Sequence, residues 1–95
     1  MRDYEVLLVI SPEVEEEAVA ATVKRVHDFI QGRGGEVVQV DDWGRRRLAY
    51  PIKQHQEGNY VVTQFRLDPT EVRDLEGSLQ VSEDVLRHLV VKVGE

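Results

Sequence analysis

The chain has 95 residues, with 18 acidic and 12 basic side chains, a formal net charge of −6 and no cysteine. This length predicts one domain over residues 1–95, and the missing cysteines exclude a disulfide framework, a thiolate nucleophile and a thiolate zinc site. No run approaches the roughly 20 apolar residues of a membrane span, and the charged start Met1–Glu5 is unlike a secretory signal, so we expect a cytoplasmic protein.

The first third of the chain predicts a strand followed by a helix. Tyr4 to Ile10 is apolar on both faces in its second half, which is typical of a central strand. Ser11-Pro12-Glu13 then has the composition of a helix start, with Ser11 as the N-cap and Pro12 at the first helical position. An apolar stripe at steps of three and four residues continues this helix, and glycines end it. The stripe comprises Val19, Val23, Val26 and Ile30, and the glycines are Gly32, Gly34 and Gly35.

A long strand and a hairpin are predicted next. Glu36 to Asp42 forms a strand that continues beyond Gly44, a candidate β-bulge, through Arg45–Lys53. Gln54–Asn59 is polar and contains a glycine, which predicts a hairpin loop longer than two residues. Tyr60 to Leu67 is rich in β-forming residues and predicts the third strand.

The last third repeats the pattern of helix and strand. Asp68 to Glu71 again has the signals of a helix start, with Glu71 placed to close a capping box. Val72, Leu75 and Leu79 give a short helical stripe, and Val85 to Val93 predicts a last strand. The order strand, helix, strand, strand, helix, strand predicts an α+β, ferredoxin-like fold, in which a four-stranded antiparallel sheet carries both helices on one face.

The stretch after Gly44 concentrates positive charge, because four of the twelve basic residues lie within the nine positions from Arg45 to Lys53. Pro51 has no amide hydrogen for a ladder, which predicts an edge strand or a strand end. A basic edge strand with an aromatic residue is suited to contact the anionic backbone of a nucleic acid. The alternative interpretation is a solvated edge strand whose charges prevent edge-to-edge aggregation. Alternation predicts Arg46, Leu48, Tyr50 and Ile52 on one side of the strand, and Arg45, Arg47, Ala49, Pro51 and Lys53 on the other.

One heptapeptide in this stretch resembles the signature of the bacterial small-subunit ribosomal protein six family, namely Arg46-Arg47-Leu48-Ala49-Tyr50-Pro51-Ile52. Met1-Arg2-x-Tyr4-Glu5 and Val90-Val91-Lys92 are also similar to that family, and the resemblance covers essentially the whole chain. It implies the same ferredoxin-like fold and a structural protein of the small ribosomal subunit. It also implies binding to the central domain of the small-subunit ribosomal RNA, as a heterodimer with small ribosomal protein eighteen. The residues that match the family pattern are Arg2, Arg46, Arg47, Tyr50, Pro51 and Lys92.

Charge, strand parity and this resemblance together nominate two sets of site residues. The candidate RNA-binding residues are Arg2, Arg45, Arg46, Arg47, Lys53 and Lys92. The sheet face away from the helices is expected to carry an apolar patch, which usually marks an interaction surface, although a buried face is the alternative. The candidate partner-binding residues are Leu7, Val9, Tyr50, Tyr60, Val62, Leu89 and Val91. Because a net charge of −6 disfavours unassisted RNA binding, we expect a more basic protein partner.

No arrangement of a nucleophile, a base and an orienting group is visible, so we expect neither an enzyme nor a small-molecule substrate. His27, His55 and His88 have no ligand-like spacing, so we expect neither a metal nor a cofactor. A regulatory or acyl-phosphate-hydrolysing domain of this fold would need a phosphate cradle, but the acidic Ser11-Pro12-Glu13 follows the first strand instead. A stand-alone single-stranded RNA reader or protein-interaction module of the same fold remains the alternative. Glu57–Phe65 matches the reader motif poorly, because its first residue is acidic and the spaced aromatics are mostly missing.

Overall fold

The computed structural model describes residues 1–94 and contains four strands and two helices. In chain order these are β1 (Arg2–Ile10), α1 (Glu16–Gly32), β2 (Glu36–Ile52), β3 (His55–Leu67), α2 (Pro69–Gln80) and β4 (Val85–Lys92). The strands form an antiparallel sheet in the order β2-β3-β1-β4, and both helices pack against one of its faces. The ferredoxin-like fold is therefore confirmed, with β1 and β3 central and β2 at an edge, as expected.

The hydrophobic core lies between the sheet and the two helices. Alternate residues of the two central strands face the helices, because side chains along a strand point to opposite faces in turn. The core residues include Tyr4, Val6, Leu8, Ile10, Val61, Phe65 and Leu67 from the sheet and Val26, Ile30, Leu75 and Leu79 from the helices. Tyr4 and Phe65 are cross-strand neighbours whose rings stack with centroids 5.7 Å apart. The two predicted helical stripes thus pack against the central strands in one core.

The start of α1 differs from its prediction, because the helix begins at Glu16 and Ser11 is not its N-cap. The amide of Ser11 donates to the carbonyl of Asp84 at 2.8 Å, which holds Ser11 at the end of the sheet. The hydroxyl of Ser11 accepts a hydrogen bond from the amide of Glu13 at 3.2 Å and closes a local turn. The capping chemistry of Ser11 is therefore used in that turn, several residues before the helix.

The start of α2 is as predicted. The Asp68 carboxylate accepts hydrogen bonds from the amide of Thr70 at 3.0 Å and from its hydroxyl at 2.8 Å, and Pro69 is the first helical residue. These bonds, the backbone one foremost, lower the pKa of Asp68 because they stabilise the ionised carboxylate. Asp68 therefore satisfies one of the amides that a helix start leaves without an intrahelical partner.

Glu71 does not close the predicted capping box, because its carboxylate binds Arg33, the residue that directly follows α1. It accepts a hydrogen bond from Arg33 Nη1 at 2.7 Å, and the same nitrogen lies 3.1 Å from the Asp74 carboxylate. The guanidinium of Arg33 also lies 4.6 Å from the centroid of the Phe29 ring. A tertiary contact between the end of α1 and the start of α2 has thus replaced a local one.

The β2–β3 hairpin is tighter than predicted. Its turn consists of Lys53 and Gln54, with φ angles of 49° and 69°, and His55 already belongs to β3. Positive φ at both turn positions matches the twist of the flanking strands, as in a type I′ turn. The prediction of a longer loop over 54–59 is wrong, because those polar residues pair with the equally polar edge strand, for example Glu57 with Arg47.

Three register shifts bend β2, and the middle one confirms the predicted bulge at Gly44. Asp42 pairs with Val61 and Gly44 pairs with Tyr60, so Trp43 is the extra residue. Gly44 has a φ of 72°, which glycine adopts at little cost, and its amide donates to Asp42 Oδ1 at 2.8 Å. Trp43 is therefore held at a fixed point where the strand bends.

Thr63 offers a test of the core. It is fully buried, and its hydroxyl has no hydrogen-bond partner among residues 1–94. Because an unsatisfied buried hydroxyl destabilises the folded state, we expect Thr63→Val to raise the free energy of unfolding by about 1 kcal/mol. Urea denaturation would measure this difference. Thr63→Ser, which keeps the hydroxyl and loses the methyl group, should lower it, and a Thr63→Val protein less stable than wild type would contradict this interpretation.

Candidate functional site

The six candidate RNA-binding residues are exposed, but the structure separates them into two groups. Arg2 begins β1, and Lys92 pairs with Tyr4 near the same end of the sheet. The three arginines of β2 pair with residues 57–59 of β3, which lie beside the other end of β1, and Lys53 is in the adjoining turn. The 9 residues of β1 span roughly 27 Å. Only an extended polyanion could contact both groups.

Arg45 and Arg46 of β2 lie on opposite faces of the sheet, as alternation predicts, whereas Arg47 lines the same surface hollow as Arg46 and so departs from that prediction. Arg45 Nη2 donates to the carbonyl of Pro12 at 2.8 Å, and Arg45 Nη1 lies 3.8 Å from the Glu57 carboxylate. Arg46 lies on the other face, where its Nε donates to the carbonyl of Trp43 at 3.2 Å. Within residues 1–94, neither Arg46 nor Arg47 forms an ion pair with a carboxylate. Arg46 and Arg47 are therefore available to an external anion, whereas Arg45 is largely engaged.

Trp43 completes a surface that sequence reasoning missed. Its ring is stacked on that of Tyr60, with centroids 6.3 Å apart and only 7° between the ring planes. Trp43, Tyr60, Arg46 and Arg47 line a shallow hollow of about 340 Å³, which we call the aromatic shelf. Trp43 is 49% exposed, so much of its ring faces solvent. The predicted bulge at Gly44 was the sequence signal that could have indicated this surface, because bulges change the direction of the side chains beside them.

The end of β2 folds over the open face of the sheet, away from the helices. Arg87 Nη1 of β4 donates to the hydroxyl of Tyr50 at 2.7 Å, although β2 and β4 are the two opposite edges. Leu48 is buried there, and a Cβ added to Gly58 would come within 2.6 Å of Val9 Cγ1. We call residues 48–52 the hairpin tip. Its close approach to the sheet depends on the missing side chain at Gly58.

The hairpin tip breaks the predicted alternation of β2. Leu48, Ala49, Tyr50 and Ile52 line one cavity of about 190 Å³ on the open face. The placement of Ala49 on the opposite side from Leu48 was therefore wrong. The reason is the register shift between Arg47 and Ile52, which interrupts the strand period of two.

The predicted apolar patch exists, but only part of it is exposed. Cross-strand pairing joins Leu7 to both Val62 and Leu89, and Val9 to Tyr60, so these side chains share the open face. Leu89 is 47% exposed and Val91, further along β4, is comparably exposed, whereas Val62 is only 4% exposed. Val9 and Val62 therefore lie on the predicted face but are buried, as in the alternative that strand parity left open. Val9 lies under the hairpin tip, and Val62 lies on central strand β3 between two paired neighbours.

A second surface that the sequence did not reveal is a groove of about 880 Å³ between α1 and β2, on the helix side of the sheet. Its apolar lining includes Val19, Val23, Val40 and Val61, and its carboxylates are Glu15, Glu16 and Asp42. Of its two cations, Lys24 is paired with Asp28 at 2.9 Å, and Arg45 is engaged as described above. The groove therefore favours a ligand that is apolar and positively charged.

The histidines do not converge on a site. His27 lines the groove, and burial lowers its pKa because the charged imidazolium loses hydration there. His55 begins β3, and His88 pairs with Leu8 of β1; both are half-buried. Among residues 1–94, no group of three His, Cys, Asp or Glu side chains is arranged to hold a metal ion. No helix in the described part of the chain is long and apolar enough to cross a membrane.

Comparison with known proteins identifies relatives over the full length of the chain. The Small ribosomal subunit protein bS6 of Desulforamulus reducens is 41% identical over 95 residues, which is 100% of both chains. The protein of the same name from Moorella thermoacetica is also 41% identical, over 100% of this chain and 97% of its own.

Solved structures agree with these relatives. The 30S ribosomal protein S6 from Thermotoga maritima superposes with a TM-score of 0.91 at 35% identity, covering 96% of this chain and 86% of its own. A chemotaxis kinase CheA P2 domain, at 15% identity and a TM-score of 0.64, shares the fold alone. The sequence model described as "Ribosomal protein S6" matches residues 3–92. The chain therefore belongs to the ribosomal protein S6 family.

Proposed function

We propose that this protein is a non-catalytic component of the bacterial small ribosomal subunit. In this proposal it binds the central domain of the small-subunit ribosomal RNA together with small ribosomal protein eighteen. The observation that carries the proposal is the 41% identity over all 95 residues to small ribosomal subunit proteins. Location on the ribosome follows from the same similarity.

The charges of the chain support joint binding with a partner. The net charge of −6 opposes the approach of RNA, and the exposed arginines Arg46 and Arg47 form only a small cationic surface. Electrostatic affinity for RNA grows with the number of phosphates that basic groups neutralise. Two or three such contacts are weak alone, so a basic partner would supply the remainder.

The open face supports a protein contact. Leu89 and Val91 expose apolar side chains on β4, and Tyr50 is exposed at the hairpin tip. Exposed apolar patches of this kind usually mark interaction surfaces, and a tyrosine ring can pack while its hydroxyl stays hydrated. We place the protein partner on this face, with Leu7 and Tyr60 at its half-buried centre.

The alternative of a stand-alone reader of single-stranded RNA has less support. Such a reader stacks successive bases on aromatics of its two central strands. Here Tyr4 of β1 and Phe65 of β3 are buried against the helices and stack on each other. Tyr60 is the aromatic residue that the central strands present on the open face. A run of bases therefore has no row of rings to occupy.

Joint binding can be tested directly. We expect the isolated chain to bind a transcript of the central domain weakly, and the equimolar mixture with small ribosomal protein eighteen to bind it much more tightly, because the partner adds phosphate contacts. Filter binding at a single salt concentration would measure both affinities. Equal affinities for the isolated chain and the mixture would count against the proposal.

The exposed arginines should matter for RNA binding and little for folding. We expect Arg46→Ala and Arg47→Ala to weaken binding of the mixture to the transcript, while the free energy of unfolding changes by no more than about 0.5 kcal/mol. Arg73→Ala, which removes the same charge from an exposed position on α2, is the matched control and should bind as wild type. A large loss of thermal stability in either β2 variant would favour a structural role for these arginines.

The position of the protein partner can be tested with two matched substitutions on opposite edge strands. Leu89 is 47% exposed on the open face, and Val40 is 40% exposed in the helix-side groove. We expect Leu89→Glu to fold normally but to lose more than about tenfold in affinity for small ribosomal protein eighteen, because the complex would bury an unpaired carboxylate. Val40→Glu should bind as wild type. The opposite outcome, measured by calorimetry, would place the partner in the groove.

A further inference from the structure

We infer that the aromatic shelf binds one unpaired RNA nucleotide, whose base stacks on Trp43 and whose phosphate contacts Arg46 and Arg47. This inference rests on the proposed function, because it names the feature of the RNA that the shelf receives. It gives Trp43 a role in recognition that the sequence analysis did not assign to it.

The backbone of β2 presents the Trp43 ring in a fixed orientation. Trp43 is the extra residue of the bulge, and the bond from the Gly44 amide to Asp42 Oδ1 closes the bend beside it. The nearly parallel Tyr60 ring supports one side of the indole. With 49% of its surface exposed, the indole still offers a flat apolar face to solvent. A rigid, half-exposed ring loses little conformational entropy when a second flat group stacks on it.

Positive charge is held beside this ring. The bond from Arg46 Nε to the carbonyl of Trp43 fixes the guanidinium close to the indole, and its terminal nitrogens have no hydrogen-bond partner among residues 1–94. Three other arginines are neutralised, since Arg33, Arg45 and Arg66 each lie within 4 Å of a carboxylate. Arg46 and Arg47 are not neutralised in this way, and both line the shelf. The shelf thus combines a π surface with available cations.

A nucleotide matches this combination in one unit, because it carries a flat base and an anionic phosphate. Aromatic stacking and phosphate contacts are two of the main interactions with which proteins hold unpaired nucleotides. A paired base inside an A-form helix is covered on both faces by its neighbours, so the shelf selects a bulged, looped or terminal base.

A protein ligand fits the shelf less well. The partner inferred above is basic and would be repelled by Arg46 and Arg47. The groove on the other side of β2 has the opposite character, since Glu15, Glu16 and Asp42 line it. The same edge strand therefore separates a cationic surface from an anionic one, and the cationic surface is the one that suits RNA.

Trp43 is the sole tryptophan of the chain, so its fluorescence reports directly on the shelf. The first experiment titrates the isolated protein, at low salt, with single-stranded oligouridylate and with an RNA duplex of equal length. Binding is followed separately by the anisotropy of labelled RNA. Stacking should quench the indole emission with the single strand and much less with the duplex. Saturated binding of the single strand without quenching would overturn the inference.

The second experiment uses the complex with small ribosomal protein eighteen and the central-domain transcript. We expect Trp43→Leu to weaken RNA binding roughly 5- to 150-fold, the range expected for one lost base–aromatic stack, and Trp43→Phe to fall between that variant and wild type. Trp43→Leu should leave the slope of log affinity against log salt unchanged, whereas Arg46→Gln should reduce that slope by about 0.7. Val81→Ala, at an exposed apolar position just after α2, is the control and should behave as wild type.

The outcomes separate this inference from the proposed function. If the wild-type complex does not bind the transcript, the proposed function fails. If it binds and Trp43→Leu binds equally well, the function stands and the shelf is not a nucleotide site. If Trp43→Leu instead loses affinity for the protein partner in the absence of RNA, the shelf is a protein contact and the inference is wrong. Thermal melting checks that each variant is folded, and Trp43→Phe keeps the test open should Trp43→Leu unfold.

Discussion

The pairing of β2 with β3 is the interaction on which the functional surfaces of this protein depend. β2 is a 17-residue edge strand in which only Leu48 is buried, so its own side chains contribute little to the core. It is held instead by its ladder of hydrogen bonds to β3, which does belong to the core. Because burial places few demands on the side chains of β2, they are available for charge and aromatic surface. The three register shifts of the ladder decide where those side chains point.

The position of β2 at the sheet edge also separates two kinds of electrostatic surface. On the helix side, carboxylates of α1 and Asp42 of β2 line an apolar groove. On the open side, Arg46 and Arg47 lie beside the stacked rings of Trp43 and Tyr60. The net charge of the whole chain describes neither surface, because most of its acidic residues lie away from the aromatic shelf. An acidic protein of this kind can therefore present a local site for an anion and a separate site for a cation.

Much of the fold was determined by the sequence alone, because local patterns carry it. The apolar alternation of β1, the cap at Asp68 and the helical stripes each follow from interactions between residues close in the chain. Pro51 and the charges around it placed β2 at an edge, and Gly44 marked its bulge correctly. The heptapeptide Arg46–Ile52 indicated the family, which the full-length comparison shows. These features can be predicted without knowing which distant segments of the chain are in contact.

Only the tertiary structure decided the features that depend on distant contacts. Ser11 bonds to Asp84 across the sheet end and so does not cap α1, and the hairpin tip reaches β4 through Tyr50 and Arg87. That tip covers part of the open face, on which strand parity alone had predicted an apolar patch. The groove and the aromatic shelf likewise join residues from different elements, or from opposite sides of a bulge. Sequence patterns record the periodicity of a strand, whereas its bends and the segments that cross it are set by packing in three dimensions.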